Sequence, residues 1–200
     1  DNQPYHLVLL ARNNTGYRNL LALVTRANLE GYYYKPRMDR ELLEQYSEGL
    51  TVLSGCPSSE FFQRLEQGDR DGALDVARWY REVFDGNYYL EVQEHGIERF
   101  SRINPLIADV GRELQIPVVV TNDSHFTLPS EHDAHDTLLC IGTNATVDQQ
   151  DRFKIDGDGY HIRSEAEMAA LFPDNPEFVT NTQLIAEACD LNLEFGRQQL

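Results

Sequence analysis

The segment Val118-Val-Val-Thr-Asn-Asp-Ser-His125 joins three β-branched residues to a polar run. β-Branched residues favour extended chain, so the valines predict a short buried strand. Polar side chains are costly to bury without partners, which ends the strand near Asn122. Side chains alternate along extended chain, so Asp123 and His125 point the same way. A carboxylate beside an imidazole is typical of a metal-ligand or acid–base pair, although the two residues could also cap a helix and fill a loop.

Three more apolar runs precede this one, with centres near residues 8, 52 and 90. A segment with helical spacing of apolar residues follows each run, so strand and helix alternate along the chain. This order is typical of parallel βα units. The runs are continuously apolar, as expected of strands that are covered on both faces. The sequence therefore predicts an α/β fold built on a parallel sheet or barrel.

Composition restricts the class of protein. The 200 residues suit one domain, and 41% hydrophobic with 25% charged residues is ordinary for a folded protein. No apolar run is long enough to cross a bilayer. Cys56, Cys140 and Cys189 lie far apart, which argues against a disulfide framework and against a C-x-x-C zinc site. We therefore expect a cytoplasmic protein with no membrane partner.

The formal net charge of −16 excludes one mode of binding. Such a chain should not hold a phosphate backbone by general electrostatic attraction. If the protein acts on nucleic acid, metal ions must neutralise the site or another part of the protein must hold the strand. The sequence also lacks G-x-G-x-x-G and G-x-x-x-x-G-K, the two common nucleotide-binding loops.

Residues that can bind metals accompany three of the predicted strands. Cys56 follows the second strand, Glu91 and His95 lie at the third, and Asp123 and His125 follow the fourth. The carboxyl ends of parallel strands meet at one face, so these side chains are expected to converge there. The mixture of N, S and O donors suits Zn²⁺ or Mn²⁺ better than Mg²⁺ or Ca²⁺.

Each candidate also has a plainer interpretation. Cys56, beside Gly55, fits a small buried residue, which is the commoner role of a single cysteine. Glu91 could be a buried, hydrogen-bonded carboxylate, and His95 could bond a loop carbonyl. His6 stands at the start of its apolar run, which is the wrong end for a site at the carboxyl ends of parallel strands.

Two further motifs are open to a functional and a plain interpretation. His132-x-x-His135 could place two imidazoles on one helical face, although such residues near a helix start are more often surface groups. Tyr32-Tyr-Tyr-Lys-Pro-Arg37 is an aromatic loop that could stack bases, although loop aromatics more often pack down on the domain.

The character of the chain changes after His125. Residues 142 to 159 are polar and contain glycine, which predicts a long loop. Tyr160-His-Ile162 fits a short edge strand, and Ser164-x-x-Glu167 is a capping box that begins a helix. We therefore divide the chain into residues 1–141, a βα barrel portion, and residues 142–200, the end of that domain with a helical junction segment.

Seven stretches of the sequence are distinctive: Tyr5-His-Leu-Val-Leu-Leu-Ala-Arg-Asn, Gly31-Tyr-Tyr-Tyr-Lys-Pro-Arg, Val52-Leu-Ser-Gly-Cys56, Tyr89-Leu-Glu-Val-Gln-Glu-His-Gly, Thr121-Asn-Asp-Ser-His125, Ala134-His-Asp-Thr-Leu-Leu-Cys-Ile-Gly and Tyr160-His-Ile-Arg-Ser-Glu-Ala-Glu-Met. In this order, and over nearly the whole chain, they resemble the polymerase-and-histidinol-phosphatase (PHP) domain found at the amino end of the bacterial replicative DNA polymerase III alpha subunit.

This resemblance implies a distorted barrel of parallel strands ringed by helices, here incomplete at its N-terminal side. It also implies a cluster of divalent metal ions, Zn or Mn. Glu91 and His95 match family residues that lie near the site rather than ligands. The metal ligands that the resemblance implies are His6, Cys56, Asp123 and His125.

One feature of the family is missing from the sequence. The opening His-x-His motif occurs nowhere in the 200 residues, which begin without methionine. We expect that motif upstream of Asp1, and the catalytic aspartates of the polymerase downstream of Leu200. The chain is therefore interpreted as a later part of the domain with part of the metal site, and alone it is expected to be inactive.

The sequence thus favours part of a DNA polymerase whose PHP domain is a metal-dependent phosphoesterase, with 3′–5′ proofreading exonuclease as the expected activity. The alternative is a non-catalytic domain that stabilises the polymerase or binds a separate exonuclease subunit. A free-standing phosphatase fits less well, because residues 160 to 200 resemble a junction. The expected partners are DNA, through the polymerase, and the other subunits of the holoenzyme.

Overall fold

Four short strands form one sheet in the computed structural model, which describes residues 4–193 and 195–196. The strands lie side by side in chain order. They are β1 (Val8–Ala11), β2 (Leu50–Leu53), β3 (Tyr88–Val92) and β4 (Val118–Val120). The prediction of a strand in each of the four apolar runs is therefore confirmed.

Helices connect the strands and follow the last of them. Between strands lie α1 (Asn14–Leu29), α2 (Arg40–Gln45), α3 (Glu60–Glu66), α4 (Arg70–Val83) and α5 (Glu98–Leu114). After β4 come a 3₁₀ turn (Pro129–Glu131), α6 (His132–Thr143), α7 (Glu165–Leu171) and α8 (Glu177–Ala188). None of the helices in the described residues combines the length and the apolar character that crossing a bilayer requires.

The prediction of an all-parallel sheet is wrong for β1, which pairs with β2 in antiparallel orientation. The pairs β2–β3 and β3–β4 are parallel, as predicted. After α1 and α2 the chain returns to the carboxyl end of β1, where β2 begins. There the Arg12 amide donates to the Gly49 carbonyl. Gly16 holds this return in place, since a Cβ on it would lie 1.9 Å from the Gly49 oxygen. The start of β1 therefore lies at the end of the sheet where the carboxyl ends of the other strands lie, and this end is the sheet edge meant below.

The apolar spacing of helix α1 predicts a buried face, and the structure buries only part of it: Ala27 is buried and Leu20 packs against the core. Tyr17, Leu21 and Val24 were expected to face the core, but they are 36%, 51% and 50% exposed. Leu23 is fully buried instead. The contact of Gly16 with the chain before β2 sets the rotation of the helix, and no local pattern in α1 encodes that contact.

The core lies between the sheet and the helices α3, α4, α5 and α8. Its largest fully buried side chains include Phe61, Tyr88, Leu90 and Ile103. Of the two outer strands of the described sheet, β1 is only half-buried and β4 is buried. Within the described residues the sheet is open, so the barrel stays a prediction.

The segment after residue 141 contributes to the same core. Phe178 of α8 is 4% exposed within the core cluster, and the Asn181 side chain donates to the carbonyl of Val118, 2.9 Å away. The predicted loop is present, because no helix or strand lies between Thr143 and Glu165 of the described chain. The edge strand predicted for Tyr160–Ile162 is reduced to one parallel bridge, which His161 forms with Phe126. The segment around Phe126 is itself a loop, so the described chain has no strand there to pair with. The boundary at residue 141 stays a prediction.

The predicted capping box begins α7 and gives a pH-dependent contribution to stability. The Ser164 hydroxyl and amide both donate to Glu167 at 2.7 Å, and these bonds lower the pKa of Glu167 from 4.5 to about 2. Because the pKa of Glu167 is lower in the folded state than in the unfolded state, its ionised form stabilises the fold at pH values above the unfolded-state pKa of 4.5. This contribution is lost as the pH falls from about 4.5 towards 2.

We therefore expect Glu167→Gln to unfold at a lower urea concentration than wild type near neutral pH, and the difference to shrink in acid. Urea unfolding followed by circular dichroism across this pH range measures it. The matched control is Glu165→Gln, a change in the same helical turn outside the capping box, for which a smaller difference is expected. A Glu167→Gln difference that stays constant with pH would contradict this assignment.

Candidate metal centre

The four predicted ligands form two pairs at one edge of the sheet. The Nδ1 atom of His6 lies 3.0 Å from Sγ of Cys56. The Nε2 atom of His125 lies 3.2 Å from Oδ2 of Asp123. The first pair joins the start of β1 to the end of β2, and the second follows the end of β4.

The position of His6, which the sequence left unexplained, follows from the antiparallel β1. The first strand runs opposite to its neighbours, so its beginning and their ends share an edge. The His6 amide donates to the carbonyl of Ser58, which fixes it beside the loop that carries Cys56. Gly55 permits this approach: its φ is +88°, and a Cβ would lie 3.0 Å from the His6 carbonyl oxygen.

Glu91 lies between the loops that carry the two pairs. Its side chain is buried, and its carboxylate accepts hydrogen bonds from the Gly55 amide (3.2 Å), the Gln93 side chain (3.3 Å) and the Thr121 hydroxyl. Gly55 immediately precedes Cys56, and Thr121 lies two residues before Asp123. One buried carboxylate therefore joins the two loops that carry the candidate ligands, as its interpretation as a hydrogen-bonded group predicts.

The electrostatics of Glu91 reflect both pairs. Burial raises the pKa of Glu91, and the hydrogen bonds from Thr121 and Gly55 oppose that rise. The electrostatic interaction with His6 also lowers the pKa of Glu91, while the interaction with Asp123 raises it. Glu91 is therefore within electrostatic range of a member of each pair.

His95 is a buried, neutral imidazole near the same edge. Its side chain is 1% exposed, and burial lowers its pKa. Nδ1 lies 3.1 Å from the carbonyl oxygen of Asp158, so the bond to a loop carbonyl is present. The ring also stacks on Tyr160, with centroids 4.2 Å apart. With Nδ1 donating, Nε2 presents a lone pair, and no partner for it exists among the described residues.

Aromatic contacts around His125 were missed by the sequence analysis. The Tyr160 and His135 rings lie 5.6 and 5.3 Å from the His125 ring, and the Tyr160 carbonyl accepts from the His125 amide at 2.7 Å. The Asn122 side chain donates to the carbonyl of His161. The spacing His132-x-x-His135 was the available signal for His135, whereas Tyr160 was predicted as part of a short edge strand without a contact to His125.

The donor set fits a divalent metal, although the described residues do not complete a ligand set. In tetrahedral zinc sites, bonds of about 2.0 Å to N and about 2.3 Å to S place the two donors about 3.5 Å apart. The 3.0 Å between His6 Nδ1 and Cys56 Sγ is a hydrogen-bond distance, so the two side chains would have to move apart by about 0.5 Å to share a tetrahedral ion. Within residues 4–193 and 195–196, no three His, Cys, Asp or Glu side chains form a group that could hold one ion. The assignment of four ligands stays a prediction.

Comparison with known proteins supports the resemblance. Residues 1–95 match the model described as the PHP domain. DNA polymerase III subunit alpha of Treponema pallidum is 44% identical over 190 residues, which cover 94% of this chain and 16% of that protein. The protein of the same name from Deinococcus radiodurans is 42% identical over 198 residues, which cover 98% of this chain and 15% of that protein.

A third relative, DNA polymerase III subunit alpha of Mycobacterium tuberculosis, is 40% identical over 185 residues, or 91% of this chain. The chain spans only 15–16% of the length of these curated relatives. The resemblance drawn from the motifs is therefore confirmed: residues 1–95 match the PHP domain, and the chain is similar over nearly its whole length to proteins named DNA polymerase III subunit alpha.

Proposed function

We propose that the chain forms part of a bacterial replicative DNA polymerase and contributes a divalent-metal phosphoesterase site that removes nucleotides from DNA in the 3′–5′ direction. The observation that carries this proposal is the placement of two ligand pairs at one edge of the sheet, on either side of a buried glutamate. The same proposal includes DNA and the other polymerase III subunits as partners, and a cytoplasmic location.

The proposed ligands of Zn²⁺ or Mn²⁺ are His6, Cys56, Asp123 and His125. Bound divalent ions supply Lewis acidity, which acidifies water and neutralises the charge that develops on a phosphodiester. Neutralisation matters for a chain with a net charge of −16, because its own field repels nucleic acid.

Glu91 and His95 act on this site as positioning residues. Glu91 holds the amide of Gly55 and the hydroxyl of Thr121, and thereby sets the separation of the ligand-bearing loops. His95 supports Tyr160, whose carbonyl accepts from the His125 amide. Groups that hold metal ligands in this way commonly contribute 10- to about 100-fold to metal affinity or activity.

A non-catalytic docking domain is the second candidate. The observation that favours it is that the two pairs do not form one ligand group within the described chain. Such a domain would stabilise the polymerase or bind a separate exonuclease subunit, and its role would not depend on His125.

The experiment that separates these functions follows the release of a 3′ label from DNA. The purified full-length natural protein, free of other subunits and nucleotides, is incubated with Mn²⁺ or Zn²⁺. We expect metal-dependent release, reduced at least about 100-fold by His125→Ala. The matched control is His132→Ala, because the His132 side chain is 60% exposed and pairs with Asp133. Absence of release by the wild-type protein, or equal release by His125→Ala, would favour the docking domain.

A further inference from the structure

The loop between α1 and α2 presents three consecutive aromatic rings that the proposed metal centre does not use. Tyr32, Tyr33 and Tyr34 are 63%, 56% and 81% exposed. The rings therefore do not pack down on the domain, which was the plainer expectation for this loop. Contiguous exposed aromatic surface of this kind marks a binding site.

The loop has a defined conformation that holds these rings outward. Gly31 closes it at its base, because a Cβ there would lie 2.1 Å from the carbonyl oxygen of Arg37. The Tyr33 amide donates to the Lys35 carbonyl at 3.1 Å, and Tyr34 adopts a left-handed backbone with φ of 59°. The rings of Tyr33 and Tyr34 meet edge to face, 4.7 Å apart.

The loop is positively charged within a strongly acidic chain. Lys35 and Arg37 lie beside the tyrosines, and no acidic residue occurs from residue 31 to residue 38. The Arg37 guanidinium lies over the Tyr33 ring, 5.0 Å from its centroid. Aromatic rings beside cations are the combination that binds single-stranded nucleic acid, because bases stack on the rings and phosphates contact the cations.

A groove connects this loop with the candidate metal centre. It has a volume of about 410 Å³, and its walls include His6 at one side and residues 36 to 40, the end of the tyrosine loop, at the other. The charged side chains on these walls are Arg37 and Arg40 together with Asp39 and Glu60, and Arg40 forms an ion pair with Glu60 at 2.9 Å. Arg37 is the cation of these walls that lies nearest the tyrosines. A strand that stacks on the tyrosines can therefore continue along the groove towards His6.

We propose that Tyr32, Tyr33 and Tyr34, with Lys35 and Arg37, bind single-stranded nucleic acid and direct its end towards the candidate metal centre. The destination of the strand rests on the proposed function, whereas the stacking itself does not. The stacking is sequence-tolerant, since every base offers a flat face to an aromatic ring.

Photocrosslinking tests the proposal without any catalytic step. An oligothymidylate carrying 5-iodouracil is irradiated with the full-length natural protein in the absence of divalent metal, and crosslinked peptides are identified by mass spectrometry. We expect crosslinks to residues 32–37. Replacing the three tyrosines together with alanine should reduce them at least about tenfold, because stacking on even one ring contributes about that factor.

Three controls make the outcome specific. Replacing the same tyrosines with phenylalanine keeps the rings and should keep the crosslinks, and Tyr17→Ala, at an exposed tyrosine of α1, should also keep them. His125→Ala should keep them too, so failure of the metal centre is distinguishable from failure of this site. Absence of wild-type crosslinks at residues 32–37 would overturn the assignment. Crosslinks that persist in the triple alanine variant would also overturn it.

Discussion

Replacing Asp123 with asparagine in the full-length natural protein is expected to remove most of its bound zinc or manganese while polymerisation persists. Asparagine keeps the size of the side chain but loses the negative charge that a divalent ligand site requires. Removing a residue that only supports a metal ligand lowers the metal affinity 10- to about 100-fold. Removing the ligand itself should therefore lower the affinity by at least about 100-fold. Elemental analysis of the protein after gel filtration measures the bound metal.

The matched control for this change is Asp190→Asn, at an exposed aspartate after α8. It removes the same charge away from the sheet edge, so the metal content should stay at the wild-type value. Circular dichroism verifies that both variants are folded, because loss of a ligand can also reduce folding stability. Wild-type metal content in folded Asp123→Asn would exclude Asp123 as a ligand.

Replacing Tyr160 with alanine is expected to loosen the loop that carries Asp123 and His125. Tyr160 is 7% exposed and stacks on His95, and its removal should cost about 3–5 kcal/mol, as for other buried aromatic residues. Its backbone carbonyl accepts from the His125 amide, so that amide reports the change directly. Amide exchange of residues 121–126, followed by mass spectrometry, should accelerate at least about 100-fold.

Tyr160→Phe is the matched control for this effect. It keeps the ring and removes only the hydroxyl, which donates to the carbonyl of Asp156 at 2.7 Å. Loss of this bond should cost about 1 kcal/mol, which corresponds to roughly fivefold faster exchange. Exchange in Tyr160→Ala that matches the wild type would show that the loop is held without this ring.

The elements of the fold were predictable because their signals are local. The three valines of β4 act locally, and so do Asp39 and Asp69, whose side chains accept from the Leu42 and Gly72 amides and begin α2 and α4. The direction of β1 was not predictable, because it depends on the close approach of Gly16 to Gly49. That contact joins segments more than thirty residues apart and leaves no periodic trace in the sequence.

The candidate site was predictable to a similar degree. Polar residues after apolar runs identified Cys56, Asp123 and His125, because a strand end is recognisable in sequence. The role of His6 came only from the resemblance, and the antiparallel β1 now supplies its physical reason. The support of His125 by Tyr160 joins two loops on different sides of α6, and a single sequence holds no pattern for such a pairing.

The central claim is that His6, Cys56, Asp123 and His125 hold metal, and X-ray absorption at the zinc edge tests it most directly. The full-length natural protein is loaded with zinc and compared with Cys56→Ser and with the control Cys189→Ser, at an exposed free cysteine. We predict a sulfur scatterer at about 2.3 Å beside nitrogen and oxygen at about 2.0–2.2 Å. The sulfur should disappear in Cys56→Ser and remain in Cys189→Ser. A zinc spectrum without sulfur, or one that Cys56→Ser leaves unchanged, would contradict the assignment.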